Sequence, residues 1–202
     1  MYKNILIIGP ARSGKTTLSR KISKEFGYSI INLDDIISAF ESMPNSLIKH
    51  NGNEIETAKH FGVFLKTYLK ELSEGPNFYN GFNFVIEGTH IDFEQIMPML
   101  NTDDYKRKYI VIGLLYNEIS EEKLYNNIKK YDTEDDWTYY CSDEELKGNV
   151  TYFLDRNKYF KEKFKQYNID TYDVSDNREE VLEKILKKLN KKRWKDGYRK
   201  IL

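Results

Sequence analysis

An octapeptide near the N-terminus constrains this 202-residue chain more than any other part of its sequence. Residues 9–16 read Gly-Pro-Ala-Arg-Ser-Gly-Lys-Thr and match G-x-x-x-x-G-K-[ST] at every defined position. The preceding run, 5–8, is apolar throughout, which is typical of a strand buried on both faces of a parallel sheet. After it, Leu18, Ile22 and Phe26 recur at helical spacing. The sequence therefore predicts a strand, a glycine-containing loop and a helix over 14–26.

A loop in this setting is suited to binding phosphate. Its backbone N–H groups and the positive end of the following helix form a concave anion site. Glycine at 9 and 14 permits backbone angles and close approaches that a Cβ would forbid. We expect Lys15 to contact the β- and γ-phosphates of ATP, or alternatively GTP, and the Thr16 hydroxyl to ligate Mg²⁺. The predicted nucleotide-binding residues are Gly9, Ala11, Arg12, Ser13, Gly14, Lys15, Thr16 and Thr17.

The rest of the chain alternates short apolar runs with amphipathic helical segments. Four further strands are predicted at 29–33, 82–86, 108–116 and 170–174. Helices are predicted at 36–43, 54–74, 93–100 and 178–192, with Gly75-Pro76 ending the second of them. This alternation predicts the α/β class, with right-handed crossovers and a five-stranded parallel sheet. We expect 1–202 to form one domain, since its length is common for a single core.

Carboxylates are expected at the carboxyl ends of two strands, where open α/β sheets bind ligands. Asp34 and Asp35 follow the second strand, and Glu87 follows the third. Mg²⁺ at the phosphate loop needs an acidic partner, directly or through water. Asp34 is the candidate for that ligand, and either Asp34 or Glu87 is the candidate for a base that takes a proton from an acceptor hydroxyl. Asp35 is expected to cap the next helix.

These features resemble the P-loop kinases of the nucleoside monophosphate kinase type, with their shikimate kinase-like and zeta-toxin-like branches. The resemblance covers most of the chain, including Asp173-Val174-Ser175, where such kinases contact the base. It implies a three-layer P-loop NTPase fold with helices on both faces of the sheet. It further implies a core at 1–40, 82–116 and 168–192, an acceptor-binding insertion at about 41–81 (the acceptor segment), a lid at about 117–160 (the lid segment) and a basic tail at 191–202.

The resemblance also implies roles on the acceptor side of the sheet. Asp34 would be a metal-linked or acceptor-binding carboxylate, Glu87 the acidic residue of the third strand, and Gly88 would face the acceptor. His90 is a candidate acceptor contact or, alternatively, a structural hydrogen-bonding residue. Arg156 is the candidate for stabilising charge on the transferred phosphoryl group, with a surface salt bridge as the alternative.

Two departures from the family pattern concern the acceptor. Adenylate kinase-like enzymes usually carry Asp-Gly-x-Pro-Arg at the third strand, whereas residues 87–90 here read Glu-Gly-Thr-His. Their lids also carry several arginines that grip phosphates, whereas 108–155 contain none. These differences argue against a nucleoside monophosphate acceptor. The string at 87–90 looks more like P-loop kinases that act on hydroxyls of small metabolites or sugar nucleotides.

Composition restricts the expected partners and the compartment. The 32 Lys and Arg residues balance 32 Asp and Glu residues, so global charge indicates neither nucleic acid nor an anionic membrane. Cys141 is the single cysteine, which excludes an intramolecular disulfide and favours the reducing cytoplasm. The apolar run at 5–8 is too short for a secretory signal or a membrane span.

Three hypotheses for function follow. The leading one is transfer of the γ-phosphoryl group of ATP to a small acceptor over the second and third strands, under a lid that excludes water. The second is a nucleotide-dependent switch or ATPase that acts on a protein partner, motivated by the absence of lid arginines. The third is a 5′-end kinase of RNA or DNA that uses the basic residues of 191–200, and it ranks last because the chain has no net positive charge.

Overall fold

Five parallel strands form one sheet at the centre of the protein. The computed structural model describes residues 3–50 and 53–198, and of residues 192–198 it describes the helical backbone alone. The order across the sheet is β2-β3-β1-β4-β5, with every neighbouring pair parallel. The strands are β1 (Asn4–Ile8), β2 (Ser29–Asn32), β3 (Phe84–Gly88), β4 (Tyr109–Leu115) and β5 (Asp170–Asp173). The predicted fold class and five-stranded parallel sheet are confirmed.

Helices connect the strands and cover the sheet. They are α1 (Lys15–Phe26), α2 (Leu33–Glu41), α3 (Glu54–Glu74), α4 (Pro76–Tyr79), α5 (Phe93–Leu100), α6 (Asp103–Lys108), α7 (Glu121–Tyr131), α8 (Asp143–Gln166) and α9 (Arg178–Tyr198), with a 3₁₀ turn at Trp137–Tyr140. The bounds of α3 are those predicted, and α5 carries the four apolar residues predicted for it, Phe93, Ile96, Met97 and Leu100. Pro76 follows the end of α3, as predicted, and it also occupies the first turn of the short helix α4. Residues 51–52 of the predicted loop, and the end of the basic tail, lie outside the described residues.

Successive residues of β1 face opposite sides of the sheet, as strand geometry requires. Ile5 and Ile7 belong to a buried cluster with side chains of α1 and α9, whereas Leu6 and Ile8 belong to a cluster with side chains of α2, α3 and α5. The long helix α8 contributes to both, with Phe153 in the first and Phe160 in the second. The sheet therefore lies between two helical layers.

The carboxyl ends of β2 and β3 differ by a few residues from the prediction. β2 ends at Asn32, whose side chain accepts a hydrogen bond from the backbone N–H of Asp34 and so caps α2. The expectation that Asp35 caps this helix is therefore wrong, since Asp34 and Asp35 lie in its first turn. Negative charge is favourable there because of the helix dipole. Glu87 lies within β3 rather than after it.

The helix α8 is attached to the end of β4 by a buried amide. The Asn157 side chain accepts from the N–H of Tyr116 at 2.9 Å and donates to its carbonyl oxygen at 2.6 Å. Both backbone groups of this strand-end residue are thereby satisfied within the core. Among the described residues, every helix is too short or too polar to cross a bilayer.

Candidate active site

The phosphate loop requires glycine at two positions for different reasons. Gly14 has φ +89°, a left-handed conformation that side chains disfavour. At Gly9 the constraint is space, because an added Cβ would lie 2.5 Å from the carbonyl oxygen of Leu114 and 2.9 Å from Ser13 Oγ. The loop can thus turn closely over the end of β4. Behind the loop, α1 begins at Lys15, with Thr16 and Thr17 in its first turn.

The ammonium group of Lys15 lies against the loop itself. Its Nζ donates to the carbonyl oxygen of Pro10 at 2.9 Å, and the residue is only 7% exposed. Burial lowers the pKa of Lys15, while the carboxylates of Glu87 and Asp34 oppose that change. A phosphate in the loop offers this cation a charged partner in place of a backbone carbonyl.

Thr16 and Glu87 form a pair at the start of α1. Thr16 Oγ1 donates to Glu87 Oε1 at 2.8 Å. Burial raises the pKa of Glu87, although the charge of Lys15 and the hydrogen bond from Thr16 act in the opposite direction. The hydroxyl and the carboxylate are oxygen donors of the kind that Mg²⁺ prefers. These two side chains therefore fit a magnesium ion at the phosphate loop.

The structure brings Glu87, rather than Asp34, to the Thr16 hydroxyl. The reason is the strand order, since β3 lies directly beside β1 and Glu87 is in register with Ile7. Asp34 follows the edge strand β2 and lies one strand further away. The expected pairing of Thr16 with Asp34 as metal ligands is thus not the contact that the structure shows.

Asp34 instead meets two histidines. His90 Nδ1 lies 3.3 Å from Asp34 Oδ1, and His50 Nε2 lies 3.1 Å from the Asp34 carbonyl oxygen and 2.9 Å from Ser38 Oγ. Burial alone would raise the pKa of Asp34, but the hydrogen bond with His90 and the charge of Lys15 outweigh it and hold this pKa below its ordinary value. The carboxylate is therefore ionised at neutral pH.

His50 is not among the site residues predicted from the sequence, because it lies in an irregular loop with no motif around it.

Gly88 was expected to face the acceptor, but its surroundings differ from that expectation. A Cβ there would lie 2.7 Å from Leu33 Cβ, so glycine is required for packing between β3 and α2. The side of Gly88 that a side chain would occupy faces α2 and not an acceptor.

Arg12 pairs with the lid segment. Its φ of 63° places a non-glycine residue in the left-handed region, and its guanidinium forms ion pairs with Asp132 and Asp136. The side chain is 12% exposed and that of Asp132 only 4%. Two lid carboxylates therefore bind the guanidinium of Arg12, and its contact with phosphates stays a prediction.

Arg156 pairs with the acceptor segment. Its Nε lies 2.9 Å from Glu54 Oε2 and its Nη2 donates to Glu54 Oε1 at 3.1 Å, with both side chains nearly buried. The guanidinium also stacks on Tyr159, 4.4 Å from the ring centroid, and Tyr152 donates a hydrogen bond to the same carboxylate. Arg156 is thus not a surface salt bridge, because α8 directs it to the start of α3, and its role toward the phosphoryl group stays a prediction.

A cleft lies beyond the phosphate loop at the carboxyl ends of β4 and β5. The enclosed space within it is about 10 Å³, which is about enough for one water molecule. Its polar and aromatic lining comes from Arg12, Tyr116, Asn127, Tyr131, Asp176 and Arg178. Val174 also lines it, whereas Asp173 binds the N–H groups of Asn117 and Ser175. In this structure the cleft is too small for a nucleobase, although Val174 belongs to the segment that was predicted to contact one.

Arg178 is not among the site residues predicted from the sequence, which identifies it only as the first residue of the last helix. Its guanidinium carbon lies 4.0 Å from the centroid of the Tyr131 ring, a cation–π contact. Its side chain also touches the phosphate loop, since a Cβ on Gly14 would lie 3.1 Å from Arg178 Cδ. The scarcity of arginine in this chain was the signal that could have drawn attention to it.

The fold and the phosphate loop define a P-loop protein, and comparison with known proteins narrows the class. The chain is 31% identical to adenylate kinase from Thermococcus onnurineus over 109 residues, 48% of this chain and 42% of that protein. It is 28% identical to tRNA dimethylallyltransferase from Nautilia profundicola over 50% of this chain and 39% of that one. It is 28% identical to shikimate kinase from Clostridium botulinum over 96% of this chain and 98% of that enzyme.

Solved structures agree on the fold. A gluconokinase from Sinorhizobium meliloti superposes with a TM-score of 0.57 at 14% identity, covering 98% of this chain and 97% of that one. Shikimate kinase from Acinetobacter baumannii, in complex with shikimate, gives 0.56 at 18% identity over 95% of each chain. No protein-family model matches the chain.

The chain is thus similar in sequence to P-loop kinases of the nucleoside monophosphate kinase type, and it shares their fold. It spans about two fifths of the length of the first two curated relatives and nearly the whole of the shikimate kinase. The similarity to the first two therefore concerns one part of each protein.

Proposed function

We propose that this protein transfers the γ-phosphoryl group of ATP, with Mg²⁺, to a hydroxyl group of a small acceptor. The observation that carries the proposal is the arrangement of three groups at the carboxyl edge of the sheet. Lys15 lies in the phosphate loop, Thr16 and Glu87 pair beside it, and the ionised Asp34 lies next to them on the β2 side. A donor site, a metal site and an acceptor site thus adjoin.

Each group has a separate task in the proposed reaction. The loop N–H groups and Lys15 hold the β- and γ-phosphates, and Thr16 and Glu87 hold the cation, which when bound neutralises charge on the transferring group. Asp34 orients the acceptor hydroxyl and accepts its proton, while His90 fixes the carboxylate. A weak base suffices, because the transition state of phosphoryl transfer is loose and the proton leaves late.

The acceptor that we favour is a hydroxylated metabolite. Shikimate kinase matches over nearly the full length, and gluconokinase shares the fold. A nucleotide or sugar nucleotide is the alternative, although Arg12 and Arg156 both have carboxylate partners here. The free thiol of Cys141 supports placing the enzyme in the reducing cytoplasm.

The test is ADP formation from MgATP, with detection of the phosphorylated product by mass spectrometry. The acceptor panel contains hydroxy acids such as shikimate and gluconate, nucleosides, nucleoside monophosphates and sugar nucleotides. One class should accelerate the wild type, and Lys15→Ala should lower kcat by about 100-fold or more because phosphate stabilisation is lost. Lys24→Ala, an exposed lysine on the same helix, is the matched control and should retain activity. ADP formation that no acceptor changes would instead support the ATPase hypothesis.

A further inference from the structure

Two of the three histidines of this chain meet one carboxylate at the acceptor edge of the sheet. One potential ligand atom from each of Asp34, His50 and His90 lies within 4.8 Å of the other two. We propose that these side chains bind a divalent cation of borderline hardness, for which Zn²⁺ is the probe. This site is separate from the magnesium site of Thr16 and Glu87.

The type of ligand atom distinguishes the two sites. Thr16 and Glu87 offer oxygen alone, which suits Mg²⁺. Two imidazole nitrogens and one carboxylate oxygen suit Zn²⁺, Co²⁺ or Ni²⁺, whereas Mg²⁺ binds such nitrogen-rich sets poorly. The same edge of the sheet can therefore hold two cations of different ligand preference.

The distances already approach those of a metal site. Zinc bonds to nitrogen and oxygen of about 2.1 Å place neighbouring ligands of a tetrahedron about 3.4 Å apart. His90 Nδ1 and Asp34 Oδ1 are 3.3 Å apart, which matches the edge of such a tetrahedron. The His50 ring lies beside that of His90, with centroids 5.7 Å apart and planes at 74°. A ligand nitrogen of His50 lies within 4.8 Å of the other two ligand atoms.

Separate elements hold the three ligands, so the site is largely formed by the fold. Asn32 caps the turn that carries Asp34, and His90 is buried directly after β3. Two hydrogen bonds hold the backbone at His50, because the His50 N–H donates to Glu41 Oε2 and Thr57 Oγ1 donates to the Lys49 carbonyl. Ser38 Oγ already orients the His50 ring, as outer partners of metal-bound histidines commonly do.

Three protein ligands leave a fourth position open, which is the pattern of catalytic rather than structural zinc sites. If the proposed kinase function holds, that position is where the acceptor hydroxyl would bind. A cation there would lower the pKa of a bound hydroxyl, and the carboxylate oxygen of Asp34 that does not ligate the cation would accept its proton. Metal binding itself does not depend on that function.

The experiment is calorimetric titration of Zn²⁺ into the full chain, freed of any affinity tag and of bound metal, with excess Mg²⁺ present. Wild type should bind one equivalent with Kd of about 1 µM or below. His50→Ala and Asp34→Asn should each weaken binding by more than about tenfold. Co²⁺ should give visible ligand-field absorption in wild type that is lost in His50→Ala.

Two matched controls decide the interpretation. His60→Ala removes the exposed third histidine on α3, and Cys141→Ser removes the single thiol, so both should bind Zn²⁺ as wild type does. The proposal is overturned if wild type binds no Zn²⁺, or if His60→Ala weakens binding as much as His50→Ala. Since the titration contains neither nucleotide nor acceptor, its failure leaves the kinase proposal untouched, and a kinase assay without activity leaves the metal result untouched.

Discussion

At the scale of single residues, Glu87 has the most unusual surroundings in the candidate site. It is 2% exposed, yet it accepts a hydrogen bond from Thr16 and lies near the charge of Lys15. Desolvation of a carboxylate opposes ionisation, and the two partners compensate only in part. A bound divalent cation would complete the compensation, which is why the side chain is suited to a metal.

Stability should therefore depend on pH through Glu87. Its folded pKa is raised above the ordinary 4.5, so the stabilisation that it contributes is present below that value and is lost as pH rises through the folded pKa. The Glu87→Gln variant has no ionisable group at this position, so its stability does not fall with pH for this reason. We expect the free energy of unfolding of the variant to rise relative to wild type as pH increases through this range. Urea unfolding with a chelator at a series of pH values measures it, and a difference independent of pH would contradict the assignment.

Gly88 gives a test of packing. Gly88→Ala should reduce the free energy of unfolding by about 1 to 3 kcal/mol, because the new methyl group overlaps Leu33 between β3 and α2. Gly148→Ala is the matched control, since an added Cβ on that exposed site of α8 meets nothing within 4 Å. It should stabilise by about 0.5 to 1 kcal/mol through helix propensity. Urea unfolding distinguishes the two, and equal effects would show that the Leu33 contact is unimportant.

At the scale of elements, the sequence predicts long helices and contiguous motifs best. The helix over 54–74 and the phosphate loop were found because a stripe of apolar side chains or one contiguous motif defines each. α4 and α6 were not, since helices of 4 and 6 residues are too short to show a period. The start of α2 was placed three residues late, because an asparagine cap within a strand-like run was not recognised.

The candidate site was predictable only in part for a related reason. Residue types near strand ends identify Asp34 and Glu87, but which of them meets Thr16 depends on strand order. The partners of Arg12 and Arg156 are 120 or more and 102 residues distant in sequence, so no local pattern contains them. Contacts between residues so far apart in sequence follow from the packing of α7 and α8, and not from the spacing of residues along the chain.

The ion pair between α8 and α3 can be tested against an exposed one. Glu54→Gln leaves the nearly buried guanidinium of Arg156 without its carboxylate and should reduce the free energy of unfolding by about 3 kcal/mol. Asp155→Asn breaks the exposed pair with Lys158 on the same helix and should change it by less than about 0.5 kcal/mol. Urea unfolding measures both.

The second arm of this test removes both charges. Adding Arg156→Met to Glu54→Gln should recover part of the loss, because no buried charge then lacks a partner. Strictly additive effects of the two substitutions would mean that the pair contributes no coupling energy between the lid segment and the acceptor segment.

At the scale of the whole molecule, the two hydrophobic clusters link ligand binding at the phosphate loop to the stability of the fold. Both clusters include strand residues next to the phosphate loop and side chains of α8. A ligand that binds only the folded state stabilises all of them together. For a chain of this size, about 1 kcal/mol of stabilisation raises Tm by roughly 2 to 4 °C.

MgATP at about 100 times its Kd should therefore raise the Tm of wild type by roughly 5 to 10 °C, since it supplies about 2.7 kcal/mol. The change should be absent in Lys15→Ala and retained in Lys24→Ala. Differential scanning fluorimetry measures it. An equal shift in wild type and Lys15→Ala would place the nucleotide elsewhere on the protein.

The buried amide of Asn157 has a consequence for evolution and for engineering. Because it takes the place of a neighbouring strand at the end of β4, the junction between β4 and the lid segment is held by one side chain of α8. Exposed residues between 117 and 150 could be exchanged while that junction stays intact, provided that the buried Leu124, Ile128, Leu146 and Val150 are kept. A gene altered there would keep its catalytic framework and change only the surface of the lid.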